Sequence, residues 1–260
     1  MDQQPDRSHN LALWRRHGLT GGQTLIAFTA FFWCASTFGE TGSQPPDYPQ
    51  SLQRELKAML DAHAPDSKDP NTLTGLAAIY LDMGDNLFND TSARINAYEE
   101  GVRMARRSLD IREADAQTHF LYAANLGSAM NLKGVVASAL GVRDLKAHTA
   151  RTLELKNDHA PALHMMGMLL EELPRLLGGD RESALAYVKR AVVVAPGFTH
   201  ARLDLAKMYL KRHDTPAARH ELQAIIAEER PTDPYGWRYR EKPEAEQLLR
   251  SLDTGRPVTP

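Results

Sequence analysis

The chain has 260 residues, of which 42% are apolar and 25% charged, with a formal net charge of −2. That balance excludes the domain-wide basic surface expected of a nucleic-acid binder, and the local cluster Arg103, Arg106 and Arg107 reads as a solvated helix face. A single cysteine, Cys34, excludes an internal disulfide framework and a cysteine-based zinc site, while the wealth of Ala, Leu, Arg, Glu and Lys favours helix.

Residues 1–39 predict a signal or membrane anchor. Arg15 and Arg16 precede an uncharged stretch from Gly18 to Gly39, whose apolar heart runs from Leu25 to Ala35. A basic flank, an apolar run and then small residues (Ala35, Ser36, Gly39) form the layout of a secretory signal. With its weaker edges the run is also long enough to span a bilayer as an uncleaved anchor. A buried amphipathic helix is the alternative, and a lipoprotein signal fits less well because Trp33 precedes Cys34. The charges on either side, with Glu40 and Asp47 after the run, predict a body outside the cytoplasm, periplasmic or membrane-anchored. A cytoplasmic location is the alternative. Residues 40–50, with Pro45, Pro46 and Pro49, read as a linker.

Residues 51–252 predict a helical repeat domain. Ser51 to Ala64 forms an amphipathic helix with Leu52, Leu56, Met59 and Leu60 on one face, and Pro65 stops it. Four helix pairs follow: Leu73 to Met83 with Ser92 to Arg112, Ala116 to Met130 with Lys146 to Lys156, His159 to Glu172 with Arg181 to Val194, and Phe198 to Arg212 with Pro216 to Glu229. In the second pair an apolar piece interrupted by glycine, Gly134 to Gly141, joins the helices. In the fourth, Thr215 is expected as the cap and Pro216 at the first helical position. Glu244 to Leu252 reads as a capping helix, and residues 253–260 as a flexible tail.

The units look like tetratricopeptide repeats, so the expected fold is all-α: a tetratricopeptide-like helix-pair solenoid with irregular loop insertions and an N-terminal apolar helix. Ala77, Ala123, Gly167 and Ala206 occupy the place where such a repeat needs a small residue, and Tyr80, Leu126, Leu170 and Tyr209 follow three positions later. Ala184, Val188, Ala191 and Pro196 fit the second-helix positions, and Ala218, Leu222, Ile225 and Pro231 fit less closely. The small positions are 46, 44 and 39 residues apart. A standard repeat has about 34, so the extra length is expected in the loops. A pair of amphipathic helices cannot bury both faces alone, which favours stacking over an irregular bundle.

Leu173-Pro174-Arg175-Leu176-Leu177-Gly178-Gly179-Asp180 lies between the helices of the third unit. Pro174 disfavours helix, Gly178 and Gly179 permit positive φ, and Asp180 is placed to cap the next helix. No Gly-Lys-Ser/Thr follows, so the glycine pair is not read as a phosphate cradle.

From about Thr118 to Leu252 the chain resembles a more specific group. The carrying segments are Leu132-Lys133-Gly134-Val135, Leu153-Glu154-Leu155 with His159-Ala160, His164-Met165-Met166-Gly167, Leu173 to Asp180, and Ala184-Leu185 to Ala195-Pro196. They are similar to the helical repeat domain of the regulator of microtubule dynamics family, and equally to the bacterial T-component proteins (TatT) associated with TRAP transporters. The TatT resemblance implies a periplasmic, membrane-tethered, non-enzymatic protein that associates with a substrate-binding protein and forms a homo-oligomer. The other resemblance implies a microtubule-dynamics-regulator-like adaptor in a eukaryotic setting.

No catalytic motif is present, and no cofactor or metal site is expected. His159 and His164 are five apart and do not share a helix face, and His213 and His220 lie on different helices. Leu163, Met165, Met166, Met168 and Leu169 read as core packing in preference to an adaptable apolar surface. Two stretches are candidates for binding a protein partner or an apolar small ligand. One is the turn residues Arg175, Leu176 and Leu177. The other is Tyr235, Trp237, Arg238 and Tyr239, in a stretch expected to be a loop and rich in the residue types that anchor interfaces. The alternative function is a subunit or regulator docking on an enzyme complex through this Tyr235–Arg240 stretch.

Overall fold

The computed structural model describes residues 44–254. The signal or anchor expected in residues 1–39 lies outside the described residues. Among the described residues no helix is long and apolar enough to cross a membrane.

Helix α1 (Ser51–Asp61) leans on α2 (Pro70–Asp82), and four antiparallel pairs then stack side by side: α2 with α3 (Thr91–Ile111), α4 (Ala116–Lys133) with α5 (Val135–Leu155), α6 (Ala160–Glu172) with α7 (Arg181–Val194), and α8 (Thr199–Lys211) with α9 (Thr215–Ile226). A single turn, α10 (Pro234–Gly236), runs through a widened turn at Trp237–Glu241 into α11 (Lys242–Thr254), which covers α9. No strand occurs among the described residues.

Local chemistry sets the helix starts. Asp69, Asp90, Asp115, Asp180 and Asp214 each accept a bond from a backbone N–H in the first turn of the helix that follows. That satisfies donors which would otherwise lack partners and places negative charge at the positive end of the helix. Asp214, not Thr215, caps α9, and Pro216 stands one place further in than expected.

The small residues do what the repeat pattern requires. Ala77, Ala123 and Ala206 are fully buried, and a Cβ on Gly167 would lie 2.5 Å from Val188 Cγ2 and 2.9 Å from the Ala184 carbonyl. Helices α6 and α7 can approach this closely only because Gly167 has no side chain. The methionine-rich face of α6 is core: Met165, Met166 and Met168 are all buried. One apolar core runs from α2 to α8, a second joins α8, α9 and α11, and a small third one gathers Leu52, Ile79 and Met83 where α1 meets the end of α2.

Four expectations are corrected. Gly134 to Gly141 is not a connector: Gly134, at φ 94°, makes the turn, and α5 then runs unbroken to Leu155. Gly141 lies inside this helix, where it is glycine because a Cβ would overlap Met130 Sδ on α4. The extra repeat length in the first two units therefore lies in the helices: α3 and α5 have 21 residues each and α4 has 18, against 12 to 14 in α6 to α9. Leu60 faces outward at 42% exposure, and α1 ends at Asp61 before Pro65 enters a short 3-10 turn. Finally, Tyr235–Arg240 is helical, because it begins the arm that carries α11.

Candidate functional site

Because the pairs are antiparallel and stacked side by side, the α4–α5 and α6–α7 turns emerge on the same edge of the array. The α6–α7 turn is tightly built. The Asp180 N–H donates to the Leu170 carbonyl at 2.9 Å and Gly179 N–H to the Pro174 carbonyl at 3.1 Å. Gly178 takes φ 84°, whereas Gly179 is needed for space: a Cβ there would strike the Leu173 carbonyl. The turn folds around its own backbone and turns its side chains outward.

Leu176 is 99% exposed and Leu177 60%. Arg175 is exposed beside them, and the Gly178 backbone lies close to Lys146 of α5. The first two turns of α5 add Val136 at 75% and Leu140 at 82%. This edge thus carries apolar side chains interspersed with the cations Arg143, Lys146 and Arg175. Isolated exposed apolar residues are ordinary, but a set concentrated on one edge and rimmed by charge is the pattern of a contact surface.

The second predicted stretch divides in two. Trp237 turns inward: its indole N–H donates to the Ile225 carbonyl at 2.8 Å, and Lys242 Nζ sits 4.7 Å from its ring. Tyr235 packs against Tyr239 with tilted rings 4.7 Å apart and meets Tyr48 edge-on at 5.2 Å. Only Arg238 and Tyr239 remain exposed. The bonds and ring contacts of this stretch run to Ile225, Tyr48, Asn86 and Asp233.

Tyr48 reveals a feature that no sequence motif announces. The two ends of the described chain meet. Arg240 donates to Asn86 at 2.6 Å and pairs with Asp233 at 3.0 Å; Asn86 donates to the Tyr48 hydroxyl at 2.7 Å; and Gln44 donates to Asp233 at 3.2 Å. Nearby, Tyr98 donates to Asp85 at 2.7 Å, and Arg94 bonds the Gly84 carbonyl at 2.8 Å. Burial pushes the Asp85 carboxyl well above the usual range.

A further buried cluster lies next to this closure. His164 of α6 stands 2.8 Å from Asp204 of α8 (Nε2 to Oδ2). His200 of α8 lies 3.6 Å from the same carboxylate oxygen and, through Nδ1, 3.7 Å from Glu241. Burial alone would lower His200, yet Asp204 and Glu241 hold it above its ordinary value. Burial holds the His164 imidazole down, and would raise Asp204, yet the His200 and His164 imidazoles keep that carboxyl well below the carboxylate range. One ligand atom from each of His164, His200 and Asp204 lies within 4.8 Å of the others, a spacing able to hold a metal ion. His200 and Asp204 escape a sequence reading that pairs histidines with histidines. Their spacing of four, which puts both on one helix face, is the signal that was available.

Two family models match the chain. One, described as regulator of microtubule dynamics protein 1-3, covers residues 47–173; the other, tetratricopeptide repeat, covers residues 176–242. The first match reaches further toward the amino terminus than the segments that carry the resemblance in the sequence. The chain is 27% identical to regulator of microtubule dynamics protein 1 of Bos taurus over 185 residues, 65% of this chain and 58% of that protein. To the Homo sapiens protein of the same name it is 29% identical over 135 residues, 46% of this chain and 43% of that one. The chain spans about half the length of these relatives. A solved tetratricopeptide-repeat protein of Thermus thermophilus shares the fold, with a TM-score of 0.57, 15% identity, and 76% of this chain and 92% of that chain covered. The described chain is an all-helical, tetratricopeptide-like solenoid, with a tetratricopeptide-repeat match over residues 176–242 and a likeness to regulator of microtubule dynamics protein 1 over 65% of its length.

Proposed function

We propose that this chain is a non-enzymatic adaptor that holds a protein partner on the edge formed by the start of α5 and the α6–α7 turn. The observation that carries the reading is the exposure of Val136, Leu140, Leu176 and Leu177 on one edge, beside Arg143, Lys146 and Arg175. Such an edge suits a partner segment with apolar side chains and acidic flanks, the cations steering the encounter and the apolar contacts holding it. The relatives are named for the regulation of microtubule dynamics, so the partner is sought first on polymerised tubulin. This likeness supports the adaptor reading, and none of it points to a transporter-associated role. Export or membrane anchoring through residues 18–39 is a separate proposal, and fractionation of cells expressing the full chain tests it.

The experiment on the edge is co-sedimentation with polymerised tubulin, together with affinity capture from cells. It compares the full chain with the double variant Leu140→Asp/Leu176→Asp. Neither side chain supports the core, so the variant should fold as the parent does and lose its partner at least tenfold. Equal capture by both proteins would refute the edge as the docking site.

A further inference from the structure

We propose that His164, His200 and Asp204 form a site for a divalent transition metal ion of the zinc class, with Glu241 orienting His200. The donor set is two imidazoles and one carboxylate, a combination that suits zinc and its borderline-soft neighbours rather than calcium or magnesium. Its ligand atoms come from two neighbouring repeats, α6 and α8, and lie within 4.8 Å of one another. With metal–ligand bonds of about 2.0–2.2 Å, ligand atoms in one shell stand roughly 3–4 Å apart. The separations of 2.8 Å and 3.6 Å about Asp204 Oδ2 need only small adjustments.

The surroundings fit the same reading. His200 faces Asp204 with Nε2 and Glu241 with Nδ1. A ligating histidine whose other nitrogen points at a carboxylate is the usual arrangement, because the carboxylate fixes both tautomer and ring direction. Glu241 is only 2% exposed, and its Oε2 has no hydrogen-bond partner among the described residues. Arg240 Nε lies 3.6 Å from its other oxygen. This neighbouring cation favours the orienting role for Glu241 over direct ligation. Ligation through His164 Nε2 requires that nitrogen to be bare, so in the metal-bound form the single proton of the neutral ring sits on Nδ1. The His164 side chain is fully buried, whereas those of His200 and Asp204 are 19% and 15% exposed. The ion can therefore enter from that side, and one position remains open for water. Bound there, it would fasten the third repeat to the fourth.

The test uses the full chain without a tag, stripped with a chelator and titrated at pH 7.5 with zinc and, for its visible absorption, cobalt. The expected result is one equivalent bound, a cobalt ligand-field spectrum and a rise in Tm of several degrees. His200→Gln and Asp204→Asn should each weaken binding at least 100-fold. Glu241→Gln should weaken it about 10-fold or more, as loss of an orienting partner does. His213→Gln, remote from the site, should bind as the parent does. Circular dichroism establishes that each variant is folded, and His164→Gln serves as the third ligand variant if either of the others is not. Absence of stoichiometric binding by the parent, or undiminished binding by folded ligand variants, would overturn the proposal.

Discussion

His159 offers a sharp test of the packing between repeats. Its side chain caps α6, with Nδ1 accepting from the Ala162 N–H at 3.2 Å. Nε2 lies 3.1 Å from Gln117 Oε1, and the ring packs 4.9 Å from Phe120 of α4. The cap requires a bare Nδ1, so the ring must be neutral with its proton on Nε2. Burial, aided by Lys156, pushes its pKa down to about 4 from the ordinary 6.5. Between these two values the unfolded chain takes up a proton that the folded chain refuses. Stability therefore falls as pH drops through 6.5, and the loss levels off below about 4. From pH 7 to pH 5 the difference amounts to about 2 kcal/mol. Urea unfolding of the parent and of His159→Asn, measured at both pH values, isolates it. Asn keeps a capping oxygen but does not titrate, and the carboxylates contribute equally to both proteins. The parent should lose about 2 kcal/mol more than the variant on acidification. Parallel losses, agreeing within roughly 0.5 kcal/mol, would show that the ring is not held neutral and that this account of the α4–α6 contact is wrong.

Gly167→Ala should cost about 1–3 kcal/mol, because the new methyl group meets Val188 and the Ala184 carbonyl on a packed partner helix; thermal unfolding measures it. Trp237→Ala should cost roughly 2–3 kcal/mol through the lost ring packing and the Ile225 bond. Hydrogen exchange should place that damage in α11 and α9, sparing α2 to α6; uniform loss of protection would contradict the separation of the α8–α9–α11 core from the larger one. Leu176→Asp should leave urea stability within about 0.5 kcal/mol, since the side chain is 99% exposed.

The small positions are legible in sequence because each helix crossing needs the same thing at the same place. Ala77, Ala123, Gly167 and Ala206 meet one steric demand four times. Glycine inside α5 is misread for the complementary reason. Gly141 looks like a helix breaker, but it is conformationally ordinary and is required by Met130 on another helix. Asp214 takes the cap expected of Thr215 because adjacent residues can both cap, and its carboxylate, one place earlier, accepts from the Ala217 N–H. The contact of Arg240 with Asn86 spans 154 positions. Polar pairing at that separation leaves no periodic trace, so the meeting of the chain ends is invisible until the curvature of the array is known. The His164–Asp204 contact is hidden in the same way, although the His200–Asp204 half of that cluster is local.

The lengthened helices and the meeting of the ends bear on where a partner can sit. A stacked helix-pair array ordinarily offers its concave face for binding. Here Arg240, Asn86, Tyr48 and Asp233 draw the two ends together, and Asp85 and Tyr98 bury their polar groups against one another. Those groups are already engaged, and a partner entering there would have to replace each bond it broke. The additional residues of the second and third units act in the opposite direction. They extend α5 by its exposed first turns and set Arg175–Leu177 on an outward-facing turn, while the small residues that the core requires stay buried at the helix crossings. The repeats have therefore grown on the edge, where added length leaves the packing intact and creates apolar surface that no other element of the described chain covers.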